Sequence, residues 1–183
     1  MLYPTDLEQK LGFDRIRELL KEACLSPLGQ DFVQKIKFSD NFQVIEKLTR
    51  QTAEMLEILV AEAEFPAQNY IDVSHALDKL RIEGMVLAQE EFFDLKLSLN
   101  TIRRILKFFD DCEPNRFVVL KELAGNIKVN KIISDSIDRV IDDKGQIRDN
   151  ASPELVDIRR KLISEMASVR KKLDTIIRHA QNL

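Results

Sequence analysis

The 183-residue chain is 44% hydrophobic and 32% charged, a mixture that excludes disorder and suits a soluble, helix-rich protein. Its 28 basic and 31 acidic residues leave a formal charge of −3, so no global basic field draws nucleic acid to it. Five glycines and five prolines supply little material for hairpins or phosphate loops, and Cys24 and Cys112 form no C-x-x-C pair: they read as reduced, mostly buried thiols.

In chain order, Thr5-x-x-Glu8 fits a capping box, where hydroxyl and carboxylate satisfy the free amides of a first helical turn. After Gly12, "FDRIRELLKEAC" places Phe13, Ile16, Leu19, Leu20 and Ala23 on one helical face. Ser26-Pro27 restarts a helix with a serine cap and proline in its first turn. Its apolar face is Leu28, Phe32, Val33 and Ile36. Ser39-Asp40 opens a longer helix with an apolar row of Val44, Ile45, Leu48, Ala53, Leu56, Leu59 and Val60, broken by Pro66. Residues 72–83 predict a short helix ended by Gly84, and Ala88 to about Asp111 a long one with paired phenylalanines in its core rows. Two shorter helices, about 116–124 and 129–141, follow. Period-2 alternation is absent apart from one small turn, so the fold class is all-α.

That turn, "IDDKGQIRDNASPEL", is the sharpest punctuation in the chain: Asp142-Asp143-Lys144-Gly145 turns, and Ser152-Pro153-Glu154 starts a helix. From Pro153 on, no glycine or proline interrupts. Leu155, Leu162, Val169, Ile176 and Leu183 lie seven apart, with Met166, Leu173 and Ala180 as a second row beside them. A repeat of seven held this long describes a coiled-coil stripe. The division is then a body, residues 1–152, and an arm, residues 153–183, whose stripe requires a partner helix that the chain does not contain. The expectation is a chain cut mid-arm, able to self-associate through the stripe. Seven basic against four acidic residues give the arm +3 and leave the body −6. Arg170, Lys171, Lys172 and Arg178 are the candidates for contact with an anionic partner, and they also fit an ordinary solvated face.

Catalytic chemistry finds no foothold. His75 and His179 are the only histidines, and Asp72-x-x-His75 is at most half of a di-metal pair. Asp142-Asp143 beside Lys-Gly are turn formers. There is no G-x-x-x-x-G-K-[ST], no G-x-G-x-x-G and no nucleophile–base pair. The sequence assigns no catalytic, cofactor or metal residue. The N-terminus lacks the apolar run of a signal peptide, and no stretch approaches the roughly 18 apolar residues of a membrane span. The expected location is cytoplasmic.

Four stretches carry a family resemblance: "LGFDRIRELLKEACLSPLGQDFV", "IDVSHALDKLRIEGMVLAQEEFFDLKLSL", "LKELAGNIKVNKIISDSID" and "IDDKGQIRDNASPELVDIRRKL". In them the chain resembles the N-terminal part of the bacterial MutS type-two family, paralogues of mismatch-repair MutS that lack the mismatch-reading domains. The resemblance implies a helical lever (core) domain that rises through its last helix into a coiled-coil clamp, whose returning helix lies beyond Leu183. It implies an ATPase domain that binds ATP and magnesium and a C-terminal Smr endonuclease domain, both outside this chain. It implies work on DNA or ribosomes: suppression of recombination, and rescue of collided ribosomes. The expected function is a non-catalytic lever and clamp segment. The alternative is a helical scaffold whose arm pairs with another protein without nucleic acid.

Overall fold

The computed structural model describes residues 6–61 and 65–181. Among them are nine helices and one isolated antiparallel bridge, between Ile141 and Ile147. The all-α expectation holds. The Thr5 end of the expected capping box lies outside the described residues, as do Leu183 and the side chain of Ala180.

The first three helices pack in succession, each on the next. Helix α1 (Leu7–Lys10) passes to α2 (Phe13–Ala23) through Gly12, whose φ of 70° lies in the left-handed region that suits glycine. Arg17 on α2 pairs with Glu8 at 2.6 Å and donates to the Ile36 carbonyl at 2.7 Å, tying the segment's two ends together. Helix α3 (Pro27–Gln34) starts as expected, with Ser26 Oγ accepting from the Gly29 amide and Pro27 in the first turn.

Helix α4 (Phe42–Ala61) differs from expectation in two respects. Its cap is Asn41 rather than Ser39-Asp40: Asn41 Oδ1 accepts from the amides of Gln43 and Val44. Its predicted core row is on the surface, with Leu48, Leu56, Leu59 and Val60 all more than half exposed. The buried residue is Ile58, fully enclosed beside Met55. An apolar row marks what a helix can bury; which side is covered depends on where its neighbour lies. Here the neighbour is α7 (Val118–Gly125).

Helices α5 (Ser74–Leu80), α6 (Gln89–Asp111) and α8 (Lys131–Val140) complete the body, with α6 packed on both α7 and α8. The core joins Ile58, Phe109, Phe117 and Ala124, edged by Phe65 and Phe108, whose rings meet edge-on at 5.2 Å. Phe117 adopts φ 55°, a strained position for a residue with a Cβ, and its ring is almost fully buried against this core. No side chain of its own caps α7; instead Glu54 on α4 accepts from the Val119 and Leu120 amides at 3.1 and 2.9 Å. One carboxylate thus satisfies two open donors of another helix.

Candidate nucleic-acid interface

The arm is α9 (Pro153–Gln181), beginning where Ser152-Pro153-Glu154 predicts. Ser152 Oγ accepts from the Leu155 amide at 3.2 Å. Its 29 residues extend about 44 Å at 1.5 Å per residue. From residue 160 to 179 every side chain is exposed, including Leu162, Met166, Val169, Leu173 and Ile176 of the stripe. Leu155, the sixth stripe residue, is half-buried at the root. The stripe also takes in Ile158, Ile163 and Ile177, each more than half exposed.

The arm's root is held by a socket on α6. Gln89, Phe93 and Lys96 follow one another at i, i+4 and i+7, one face of the helix. Gln89 Nε2 donates to the Gly145 carbonyl at 2.8 Å. The Phe93 ring lies so close to Gly145 that a Cβ there would stand 3.0 Å from it, and Gly145 itself has φ 77°. Lys96 Nζ donates to the Ile141 carbonyl at 3.0 Å and Asp143 Oδ1 at 2.8 Å, and pairs with Asp138 Oδ1 at 3.2 Å. Its three hydrogens therefore meet three oxygens on the end of α8 and the turn. Burial alone would lower the pKa of this ammonium, but hydrogen bonds and charge from Asp143 and Asp138 outweigh it and hold the group above the ordinary lysine value.

The turn is organised from within as the aspartate pair predicts. Asp142 Oδ1 accepts from the amides of Lys144 and Gln146, both at 2.8 Å. The amides of Gln146 and Lys144 hold its carboxyl below the usual range. Asp143 is held low by its hydrogen bond from Lys96. Arg148 Nε donates to the Asp138 carbonyl at 2.8 Å, and Arg159, on the first turns of α9, pairs with Asp149 and donates to the Ile147 carbonyl. From α6 through the turn to α9, each joint carries at least one hydrogen bond.

The four cations singled out on the arm do not form one face. At about 100° per residue, Lys171 and Arg178 project in nearly the same direction, Arg170 a quarter of the circumference to one side and Lys172 a similar step to the other. Arg160 joins Lys171 and Arg178 on their side. Arg170 borders a groove with Met166, Val169 and Leu173, beside the apolar stripe. All four are exposed.

Elsewhere, Asp72 spends its carboxylate on the Ser74 amide at 2.9 Å, and His75 is an exposed residue of the first turn of α5. Among the described residues, no helix is long and apolar enough to cross a membrane. Sequence reasoning missed Lys96, Gln89 and Glu54, which look like ordinary polar residues of helix surfaces.

No family model matches the chain. Among curated proteins it is 34% identical over 173 residues to the Endonuclease MutS2 of Alkaliphilus oremlandii, covering 94% of this chain and 22% of that protein. It is 31% identical over 169 residues to the Endonuclease MutS2 of Ruminiclostridium cellulolyticum, covering 92% of this chain and 21% of that one. For the Endonuclease MutS2 of a Geobacillus species the identity is 30% over 170 residues, covering 92% and 22%. The chain thus spans about a fifth of the length of these relatives. Similarity that runs through the body, the turn and into the arm makes this chain a stretch of a MutS2-family protein.

Proposed function

We propose that these residues act as a non-catalytic lever and clamp segment of a cytoplasmic MutS-like protein working on DNA or ribosomes. The observation that carries this reading is the socket: a buried lysine, a glutamine and a phenylalanine on one face of α6 grip the turn from which α9 leaves. A displacement of α6 would therefore be passed to the arm's root rather than absorbed in a loose loop. The exposed stripe of α9 offers itself to a returning helix of the same clamp. The relatives are named as endonucleases, and cleavage belongs in this reading to a part of the protein outside these residues. ATP and magnesium would also be held elsewhere: the five glycines stand singly along the chain, so no phosphate-cradling loop can be built from them.

Lys171 and Arg178 are the arm residues best placed to meet phosphates together. Two such contacts on a duplex correspond to a salt slope of about −1.8, from roughly −0.9 per contact. In the full-length protein, Lys171→Glu/Arg178→Glu should weaken binding to DNA or ribosomes and flatten the slope by about that amount. Unchanged affinity and slope would favour the scaffold reading, in which the arm pairs only with protein; the exposed apolar stripe is the observation that keeps that reading in play.

A further inference from the structure

The body carries −6, yet one of its clefts gathers five cations against two carboxylates. The cleft, about 850 Å³, runs along α6 beyond the socket. Arg103, Arg104 and Lys107 stand on one wall and Lys131, the first residue of α8, on another. Its two carboxylates are Asp110 and Asp143, and Asp143 is engaged by Lys96. Four cations therefore face one uncommitted carboxylate. All four are exposed, and none has an ion-pair partner among the described residues. Like charges three and four residues apart on a helix repel slightly, and an anionic ligand would relieve that repulsion.

The geometry favours a chain of phosphates. Arg103, Arg104 and Lys107 follow Asn100 at i+3, i+4 and i+7, so they form one row with neighbouring Cβ atoms about 5–6 Å apart. Arg104 and Lys107 also line a second depression that continues past Asp111 and Glu113 towards Arg116, so the cationic stretch is the part along Arg103, Arg104 and Lys107. The result is a track rather than a closed pocket, suited to a polymer with a charge every 3.4 Å or so per strand. Guanidinium forks match phosphate oxygens in bidentate fashion. Asn69 and Asn100 add neutral donors of the kind that meet phosphate and sugar oxygens. Asn69 sits in a left-handed turn whose neighbour, the Gln68 carbonyl, accepts from Thr101 Oγ1 at 3.2 Å. The positive end of α8 lies on the rim, where Val129 and Lys131 border the cleft.

We propose that this cleft on α6 binds the phosphodiester backbone of a nucleic acid strand, without sequence preference. It involves no residue of α9, so it stands or falls separately from any grip by the arm.

The test compares the wild-type chain with Arg103→Gln/Arg104→Gln/Lys107→Gln and with Lys171→Glu/Arg178→Glu. The probe is a labelled single strand of roughly 20 nucleotides, followed by fluorescence anisotropy between about 50 and 200 mM salt. The cleft variant is expected to bind about tenfold more weakly at low salt, with a slope shallower by about 2, from roughly 0.7 per contact on a single strand. The arm variant is expected to keep that part of the slope. Arg103→Lys/Arg104→Lys should retain most of the binding, because charge dominates non-specific contact. Should the triple variant melt early, Lys131→Gln on the other wall carries the same test with a slope change of about 0.7. No binding by the wild-type chain, or an unchanged slope in the folded cleft variant, overturns the proposal. So does displacement of the strand by poly-glutamate as readily as by unlabelled strand, which would assign the cleft to an acidic protein segment.

Discussion

Lys96 and Asp143 are joined at 2.8 Å although their side chains are 4% and 92% exposed. The ammonium is enclosed by the body while its carboxylate partner stands in water on the turn that launches the arm. The two ends of this ion pair are therefore unequal. Asp143 is one of three oxygens on Lys96, and water can replace it; nothing replaces the ammonium for the Ile141 carbonyl.

Lys96→Met should accordingly lower stability by about 1–3 kcal/mol, the cost of leaving a buried acceptor without its partner. Asp143→Asn should leave the unfolding midpoint nearly unchanged, since exposed pairs contribute little. Urea denaturation followed by far-ultraviolet circular dichroism gives both values. Equal losses in the two variants would contradict the asymmetry.

Gly145→Ala and Gly84→Ala separate backbone strain from crowding. Both glycines are left-handed, with φ 77° and 80°, but only at Gly145 would the new methyl meet a neighbour, the Phe93 ring at 3.0 Å. The expected cost at Gly84 is about 1 kcal/mol and at Gly145 about 2–4 kcal/mol. Adding Phe93→Leu to Gly145→Ala should recover part of the difference. If the double variant is less stable than the sum of the singles, the crowding account fails.

The turn should loosen in acid. Asp142 is held low by the Gln146 and Lys144 amides, so it contributes stability that is full above the unfolded carboxylate value of about 3.9 and is lost as pH falls through the depressed folded value. Asp143, held low by Lys96, acts in the same sense, but its exposed carboxylate contributes little. Lys96, raised, acts in the opposite sense: its contribution is full below the unfolded lysine value of about 10.4 and is lost as pH rises through the folded one. Amide-exchange protection factors, corrected for the intrinsic pH dependence of exchange, should be flat at residues 141–148 between these limits and fall more steeply in acid than at Ile58. In Asp142→Asn the acid limb should shrink. An identical limb in that variant would remove Asp142 from the account.

The stripe should drive weak association. Leu162, Val169, Leu173 and Ile176 are 53–63% exposed, and burying two of them per chain corresponds to roughly 3–6 kcal/mol before association costs. Sedimentation at high concentration should show self-pairing that Leu162→Glu/Ile176→Glu abolishes. Equal monomer fractions in the two proteins would leave the stripe without this role.

The starts of two helices were sharply legible in the sequence. Ser26-Pro27 and Ser152-Pro153 each act within one helical turn, through a cap and a fixed φ, so neighbours in sequence suffice to predict them. Gly84 does not close α5, which ends at Leu80 instead of residue 83. The aspartate turn was legible for the same reason as the two starts. The face of α4 that is covered was not: its apolar row is real, but Ile58 is enclosed because α7 lies on that side. Glu54 reads as a surface carboxylate until α7 brings two open amides to it. Lys96 reads as a solvated lysine until the end of α8 and the turn place three oxygens around its ammonium. Likewise Lys131 lines the same cleft as Arg104 only because α8 packs on α6. Pattern and capping are short-range properties carried by the residues themselves, whereas the enclosure of a charge or the pairing of a donor depends on which distant segment arrives, and that is set by packing.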